Sequence, residues 1–216
     1  MRLDIFSDTI CPWCYVGKRR LARALAARPQ PKLSLRWRAF QLNPAMPIEG
    51  MTRQRYIEAK FGSADRAKRI YDAVIAVGAT EGIDFDFDAI RRTPNTLASH
   101  RLLRKAAQIG RQEELLDGLF AAYFVEGRDI GDKAVLAEIA EEAGIPDAER
   151  FLAGVEGAEE VRDEDAFARR HGINGVPCFI FNSRFLLSGA QEPESFFQLF
   201  DLAREEEAAA LRESAV

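Results

Sequence analysis

Strand-forming patterns occur at the two ends of this chain, and the long stretch between them reads as helix after helix. At the amino end, Leu3 to Phe6 alternates polar and apolar residues. Asp8 to Pro12 is turn chemistry, and a helical pattern follows through Trp13, Val16, Leu21, Ala24 and Leu25. It stops at Arg28-Pro29-Gln30-Pro31, after which Leu33, Leu35 and Trp37 recur with the period of a strand. Two strands separated by a helix imply parallel pairing across a crossover. At the carboxyl end, Cys178–Phe181 is short and apolar, Asn182-Ser183 is a turn, and Arg184–Leu187 is a second strand, so a hairpin is expected. Pro193 then opens a helix bearing Phe196, Phe197, Leu199, Phe200 and Leu202, and the acidic, Ala-rich tail is expected to fray.

The intervening block carries its own punctuation. One helix is predicted over Thr52–Phe61, ending at Gly62, and the next starts at Ser63 and runs through Ile70, Val74 and Val77. Asn95 can cap a helix with Ala98, Leu102, Ala106 and Ile109. Leu115, Leu116, Leu119, Phe120, Tyr123 and Phe124 make a wide apolar stripe, and Asp132 caps Val135, Leu136, Ile139 and Ala140. A last helix carries Val161, Ala166 and Phe167 to His171-Gly172. No repeat period stands out. The class is α/β, with a helical block inserted between the two strand-bearing ends.

Charge and composition exclude some functions. The net charge is −4, with both signs interspersed, so there is no clustered Lys and Arg footprint for nucleic acid. No stretch approaches the roughly 20 apolar residues of a membrane span. Asp4 and Asp8 interrupt any apolar run that could serve as a secretory signal, and the expectation is a cytoplasmic protein with no membrane partner.

Of 3 cysteines, Cys11 and Cys14 form a C-x-x-C. Three cysteines cannot make a structural disulfide framework, and a reducing cytosol would not keep one oxidised. A zinc site needs about four N or S ligands. Only Cys178, His100 and His171 remain, none in a second paired spacing, so no metal is expected. The chemistry left is thiol–disulfide exchange, whose nucleophile is a thiolate. Pro12 suits the first turn of a helix, which places the dithiol at a helix N-terminus, where unpaired N–H groups and the dipole favour negative charge. Cys11 is then the exposed nucleophile and Cys14, about one turn further in, the resolving cysteine. Pro12 and Trp13 contribute rigidity and an apolar surface.

Asp8-Thr9-Ile10-Cys11-Pro12-Trp13-Cys14-Tyr15-Val16-Gly17-Lys18, Gly175-Val176-Pro177 far downstream and Ser188-Gly189-Ala190-Gln191 after the hairpin together resemble the DsbA family. Phe40-Gln41-Leu42-Asn43-Pro44 and Pro94-Asn95-Thr96-Leu97-Ala98-Ser99-His100-Arg101-Leu102 resemble its cytoplasmic, FrnE-like branch. The resemblance implies a thioredoxin fold over residues 1–42 and 172–216, interrupted by an inserted helical domain over 43–171. It also implies that Val176–Pro177 is a cis peptide facing the dithiol, offering a backbone edge to an extended substrate. Substrate contact is therefore expected from Pro12, Trp13, Val176 and Pro177.

Cys178, directly after that proline, reads as a small buried strand residue, with an alternative disulfide to the dithiol left open. Asn95 and His100 could face the cleft, although a capping role for Asn95 and a surface position for His100 serve equally. The expected partner is a protein or small molecule carrying a disulfide or thiol, handled by a monomer or homodimer. No tightly bound cofactor is implied; glutathione is a possible co-substrate. Two other readings compete. One is a glutathione-dependent enzyme like the 2-hydroxychromene-2-carboxylate isomerases and kappa-class glutathione transferases of the same architecture. The other is a non-enzymatic, redox-regulated binding protein.

Overall fold

The computed structural model describes residues 1–213. Four strands form the main sheet: β1 (Arg2–Ser7), β2 (Ser34–Ala39), β5 (Cys178–Phe181) and β6 (Phe185–Ser188), in the order β2-β1-β5-β6. β1 and β2 run parallel with Leu3 opposite Leu35, and the helix α1 (Pro12–Ala27) connects them. β1 pairs antiparallel with β5, placing Leu3 opposite Phe181 and Phe6 opposite Cys178, and β5 and β6 form the hairpin. The two ends of the chain thus meet in the middle of one sheet.

Between β2 and β5 lie a two-stranded ribbon, β3 (Met51–Thr52) with β4 (Arg92–Thr93), and the helices α2 (Arg53–Phe61), α3 (Ala64–Thr80), α4 (Leu97–Gln108), α5 (Gln112–Phe124), α6 (Lys133–Glu142), α7 (Ala148–Ala153) and α8 (Ala158–Arg170). The capping residues act as their chemistry dictates: the side chains of Thr52, Ser63 and Asp132 accept from the backbone N–H groups of Arg55, Arg66 and Ala134. The N-cap of α4 is Thr96 and not the expected Asn95, which lies one position before it, its Oδ1 accepting from Leu97 N at 2.9 Å while its Nδ2 donates to Met46 O at 2.7 Å. The ribbon and α7 are too short to leave a periodic pattern, and the sequence reading misses them.

Two differences concern the carboxyl end. The last helix, α9, spans Ser195–Glu213, so it starts two residues after Pro193, whose carbonyl accepts a turn bond from Phe196 N. The Ala-rich segment read as a frayed tail continues that helix to Glu213, because Ala and Glu are strong helix formers. Residues beyond 213 lie outside the described ones.

The sheet alternates its side chains between two cores, as period two requires. Leu3, Ile5, Phe179 and Phe181 face the main core with α1 and α9, where Phe179 meets Phe196 edge-on at 5.0 Å and Phe181 meets Phe200 at 5.8 Å. Phe6 and Cys178 face the other way, into a smaller core with Phe40, Ala168 and Ile173. The main core runs without interruption into the helical block: Tyr15 of α1 stacks on Phe120 at 5.0 Å and meets Phe85 edge-on at 5.9 Å. Burying each such ring contributes roughly 1.5–3 kcal/mol.

Ion pairs fix the direction of α1. Lys18 reaches Glu113 and Asp117 of α5, and Arg20 and Arg23 converge on Glu81, whose side chain is 1% exposed. β2 is an edge strand, and side chains occupy its outer groups. Gln112 both accepts from Trp37 N and donates to Trp37 O, while Glu164 and Asp165 of α8 accept from Ala39 N and Gln41 N.

Candidate active site

The site lies where β1 ends and α1 begins. The turn Asp8–Cys11 is closed by Cys11 N donating to Asp8 O at 3.0 Å, and Cys11 is the N-cap of α1 with Pro12 in the first turn. Cys14 N donates back to Cys11 O at 3.0 Å. The helix therefore starts under Cys11 and carries Cys14 round to it. The two cysteines lie 3.3 Å apart and both are free thiols.

The Val176–Pro177 peptide is cis. It lies across the dithiol, with the Cys11 thiol donating to Val176 O at 3.5 Å. Two glycines permit this approach. A Cβ on Gly17 would stand 2.8 Å from Pro177 Cγ, so only glycine lets α1 pack against the proline ring. Gly189, at φ +80°, turns the chain after β6 so that its N–H donates to Pro177 O at 2.8 Å. Sequence reasoning singled out the Gly189 segment through resemblance, whereas the contact of Gly17 with Pro177 leaves no local signal.

Cys11 departs from expectation. It is 4% exposed, not open to solvent, because the Val176 carbonyl sits over it and the helical block closes in from the other side. Tyr56 of α2 lies within electrostatic reach of both Cys11 and Asp8, and burial holds its hydroxyl above the ordinary range. Trp13, 37% exposed, forms the outer rim, and Pro12 and Val176 are half-buried.

Cys14 has no exposed surface. Burial pushes its thiol well above the ordinary value, and the neighbouring Cys11 adds to this. The Ser7 hydroxyl and the Asp8 backbone pull the other way. Behind the dithiol, Asp8 is fully buried; Oδ2 accepts from Leu42 N at 2.6 Å, and Oδ1 lies 3.3 Å from His100 Nε2. His100 is 3% exposed, so of the two positions left open by the sequence the surface one does not hold: α4 packs against β2 and against the turn after β1, where Thr9 and Ser99 bridge at 2.8 Å. Neither the Asp8–His100 pair nor Ser7 is visible as a site in the sequence, since their meeting depends on how α4 docks.

Cys178 faces the smaller core on the far side of the sheet from α1. This arrangement fits a small buried strand residue and gives no support to a disulfide with the dithiol. Among the described residues there is no group of three or more His, Cys, Asp or Glu placed to hold a metal ion, and no helix long and apolar enough to cross a membrane.

A sheet of this order, with a C-x-x-C opening its first helix and a cis-proline against it, defines a dithiol protein of thioredoxin fold. Residues 2–201 match the DSBA-like thioredoxin domain, and the chain belongs to that family. A probable DsbA oxidoreductase from Streptomyces coelicolor superposes with a TM-score of 0.86 at 34% identity, covering 95% of this chain and 91% of that one. The cytosolic disulfide reductase DsbM from Pseudomonas aeruginosa, solved with GSH, gives 0.64 at 19% identity over 98% and 100% of the two chains. A 2-hydroxychromene-2-carboxylate isomerase shares the fold at 0.63 and 16% identity, covering 100% and 98%. The family supports an oxidoreductase or isomerase role.

Proposed function

We propose that the protein is a dithiol–disulfide exchanger in which Cys11 is the nucleophile and Cys14 the resolving cysteine. The observation that carries this reading is the pair itself: two free thiols 3.3 Å apart at a helix start, beside the Val176 carbonyl. The Cys11 thiolate attacks a substrate disulfide, giving a mixed disulfide and releasing one substrate thiolate. Cys14 then attacks Cys11 Sγ, forming the Cys11–Cys14 disulfide and releasing the second substrate thiol. The substrate is reduced by two electrons and the protein is oxidised by two. A thiol reductant of the glutathione class restores the dithiol.

The first attack starts from the N-cap of α1, where Cys11 stands ahead of Cys14. Val176–Pro177 offers the substrate a backbone edge, and Pro12 and Trp13 supply the apolar surface beside it. The proposed setting is a reducing, cytosolic compartment. The substrate is a disulfide in a protein or small molecule, and the protein acts as a monomer or homodimer. Residues 1–42 and 172–216 would form the thioredoxin unit, and 43–171 the inserted unit that walls the cleft.

The test is a Cys14→Ser variant incubated with oxidised insulin or glutathione disulfide. Mixed disulfides through Cys11 should accumulate, and the wild type should reduce insulin in the presence of glutathione. If the wild type exchanges no disulfide and the variant traps none, this reading fails. Glutathione binding that survives Cys14→Ser without any exchange would instead favour a glutathione-dependent isomerase, and partner capture surviving loss of both cysteines a binding protein.

A further inference from the structure

Resolution poses a problem that the dithiol cannot solve alone. Cys14 must surrender a proton to attack Cys11, yet it is fully buried and has no contact with solvent. The Ser7 hydroxyl beside it is also buried, 3% exposed as a residue, and has no nitrogen or oxygen partner. Ser7 lines a small cavity of about 10 Å³ together with His100, Arg38, Arg104 and Glu164, among apolar neighbours. That volume is the threshold for one water molecule, and the polar lining supplies the two to four partners such a water needs.

The groups on this cavity differ in what they can accept. Arg38 of β2 and Arg104 of α4 are permanent donors. Glu164 of α8 is engaged by Arg36, Arg38 and Arg104 and by Ala39 N, so its oxygens are already taken by donors. Asp8 is occupied by Leu42 N and His100 Nε2. His100 is the group left. With Nε2–H donated to Asp8, Nδ1 is the acceptor, and the carboxylate orients the ring.

We infer that Cys14 is deprotonated from behind, through Ser7 Oγ and a single water in the small cavity to His100, with Asp8 as the orienting carboxylate. His100 is a positioning and relay residue rather than one that touches substrate. The inference rests on the exchange reading given above and adds a second route of proton traffic to it. In the balanced step, Cys14 Sγ attacks Cys11 Sγ of the mixed disulfide, the Cys11–substrate S–S bond breaks, and its electron pair leaves with the substrate thiolate. The Cys14 proton moves to His100, while the departing thiolate takes a proton from solvent.

A way out exists. The small cavity shares the walls Trp37, Arg104 and Glu164 with a surface cleft of about 500 Å³ along the edge of β2, which gives the proton a route outward. The proton is therefore passed on to solvent and not stored.

The test separates the two half-reactions. Reduced protein is mixed with glutathione disulfide, quenched with acid over time, and the Cys11–glutathione mixed disulfide and the Cys11–Cys14 disulfide are counted by mass spectrometry. In His100→Asn the mixed disulfide should accumulate, because resolution slows by roughly 10²-fold. Ser7→Ala, which removes one oxygen and leaves α4 untouched, should slow it by a smaller factor. In the wild type the resolution rate should level off with pH, while in both variants it should keep rising about tenfold per pH unit, following the Cys14 thiolate alone. A merely structural role would lower the rate without changing that slope. Each variant is also made in the Cys14→Ser background, where trapping through Cys11 reports an intact fold. Resolution rates and slopes equal to wild type in both variants overturn the relay and leave the exchange reading standing. A wild type that forms no mixed disulfide at all overturns both.

Discussion

Cys14 and Cys178 are almost equally buried, at 0% and 2% exposure, and burial pushes both thiols up. Their surroundings have little else in common. Cys14 has Cys11 3.3 Å away and the Ser7 hydroxyl and Asp8 backbone beside it, and Ser7 in turn lines a small cavity with His100. Cys178 looks across the opposite face of the sheet at Phe6, Phe40, Ala168 and Ile173, and burial alone holds its thiol at about 11. Depth in the protein therefore does not separate the thiol proposed to resolve exchange from one given no part in it. The difference lies in the polar neighbours and in the second sulfur within reach.

The largest effect that tests this contrast is on turnover. Cys11→Ala should reduce insulin reduction to the uncatalysed rate, a loss on the order of 10³-fold or more. Cys178→Ala, on the far face of the sheet, should leave the rate within about threefold, a truncation costing roughly 1 kcal/mol of stability. A large loss of exchange in Cys178→Ala would break the contrast. Next in size is Gly17→Ala, whose Cβ would stand 2.8 Å from Pro177 Cγ. It should push the proline segment off the dithiol and slow exchange by ten- to a hundredfold, with about 1–3 kcal/mol lost in urea unfolding.

A third effect is on stability against pH. Cys178 binds its proton more tightly folded than unfolded, so stability is intact below the ordinary thiol range and falls as pH rises towards about 11. Cys14 shifts in the same direction and adds to the loss. Urea midpoints taken at about pH 8 and about pH 10.5 should fall more in the wild type than in Cys178→Ala. Equal falls would show that the far-side thiol is not held neutral by burial. The smallest expected effect is Trp13→Ala at the exposed rim. Stability should change by less than about 0.5 kcal/mol, while KM for a protein disulfide rises a few-fold with kcat nearly unchanged.

How much of this could be read from the residues follows from the range of each interaction. α1, its proline start and the dithiol it carries depend on neighbours within one turn, and the reading places them within a residue of the structure. Helix caps at Thr52, Ser63 and Asp132 are equally local. The burial of Cys11, the pairing of Asp8 with His100 and the orphaned hydroxyl of Ser7 depend instead on how α4 and the Val176 segment dock against β1. Those contacts join residues about ninety or more positions apart, and single-chain patterning carries no record of them. His100 shows the gap plainly: its helix was evident, the direction of its face was not.

The placement of β5 beside β1 has a consequence for biosynthesis. Cys11 and the carbonyl that covers it are 165 residues apart in the chain. At about 5–20 residues per second, the dithiol leaves the ribosome roughly 10–30 seconds before its cover is made. Throughout that interval the nascent C-x-x-C is an uncovered metal chelator and oxidant target, and only the final stretch of translation closes it. A ribosome stalled before Val176 would display a pair of thiols that the finished protein keeps hidden.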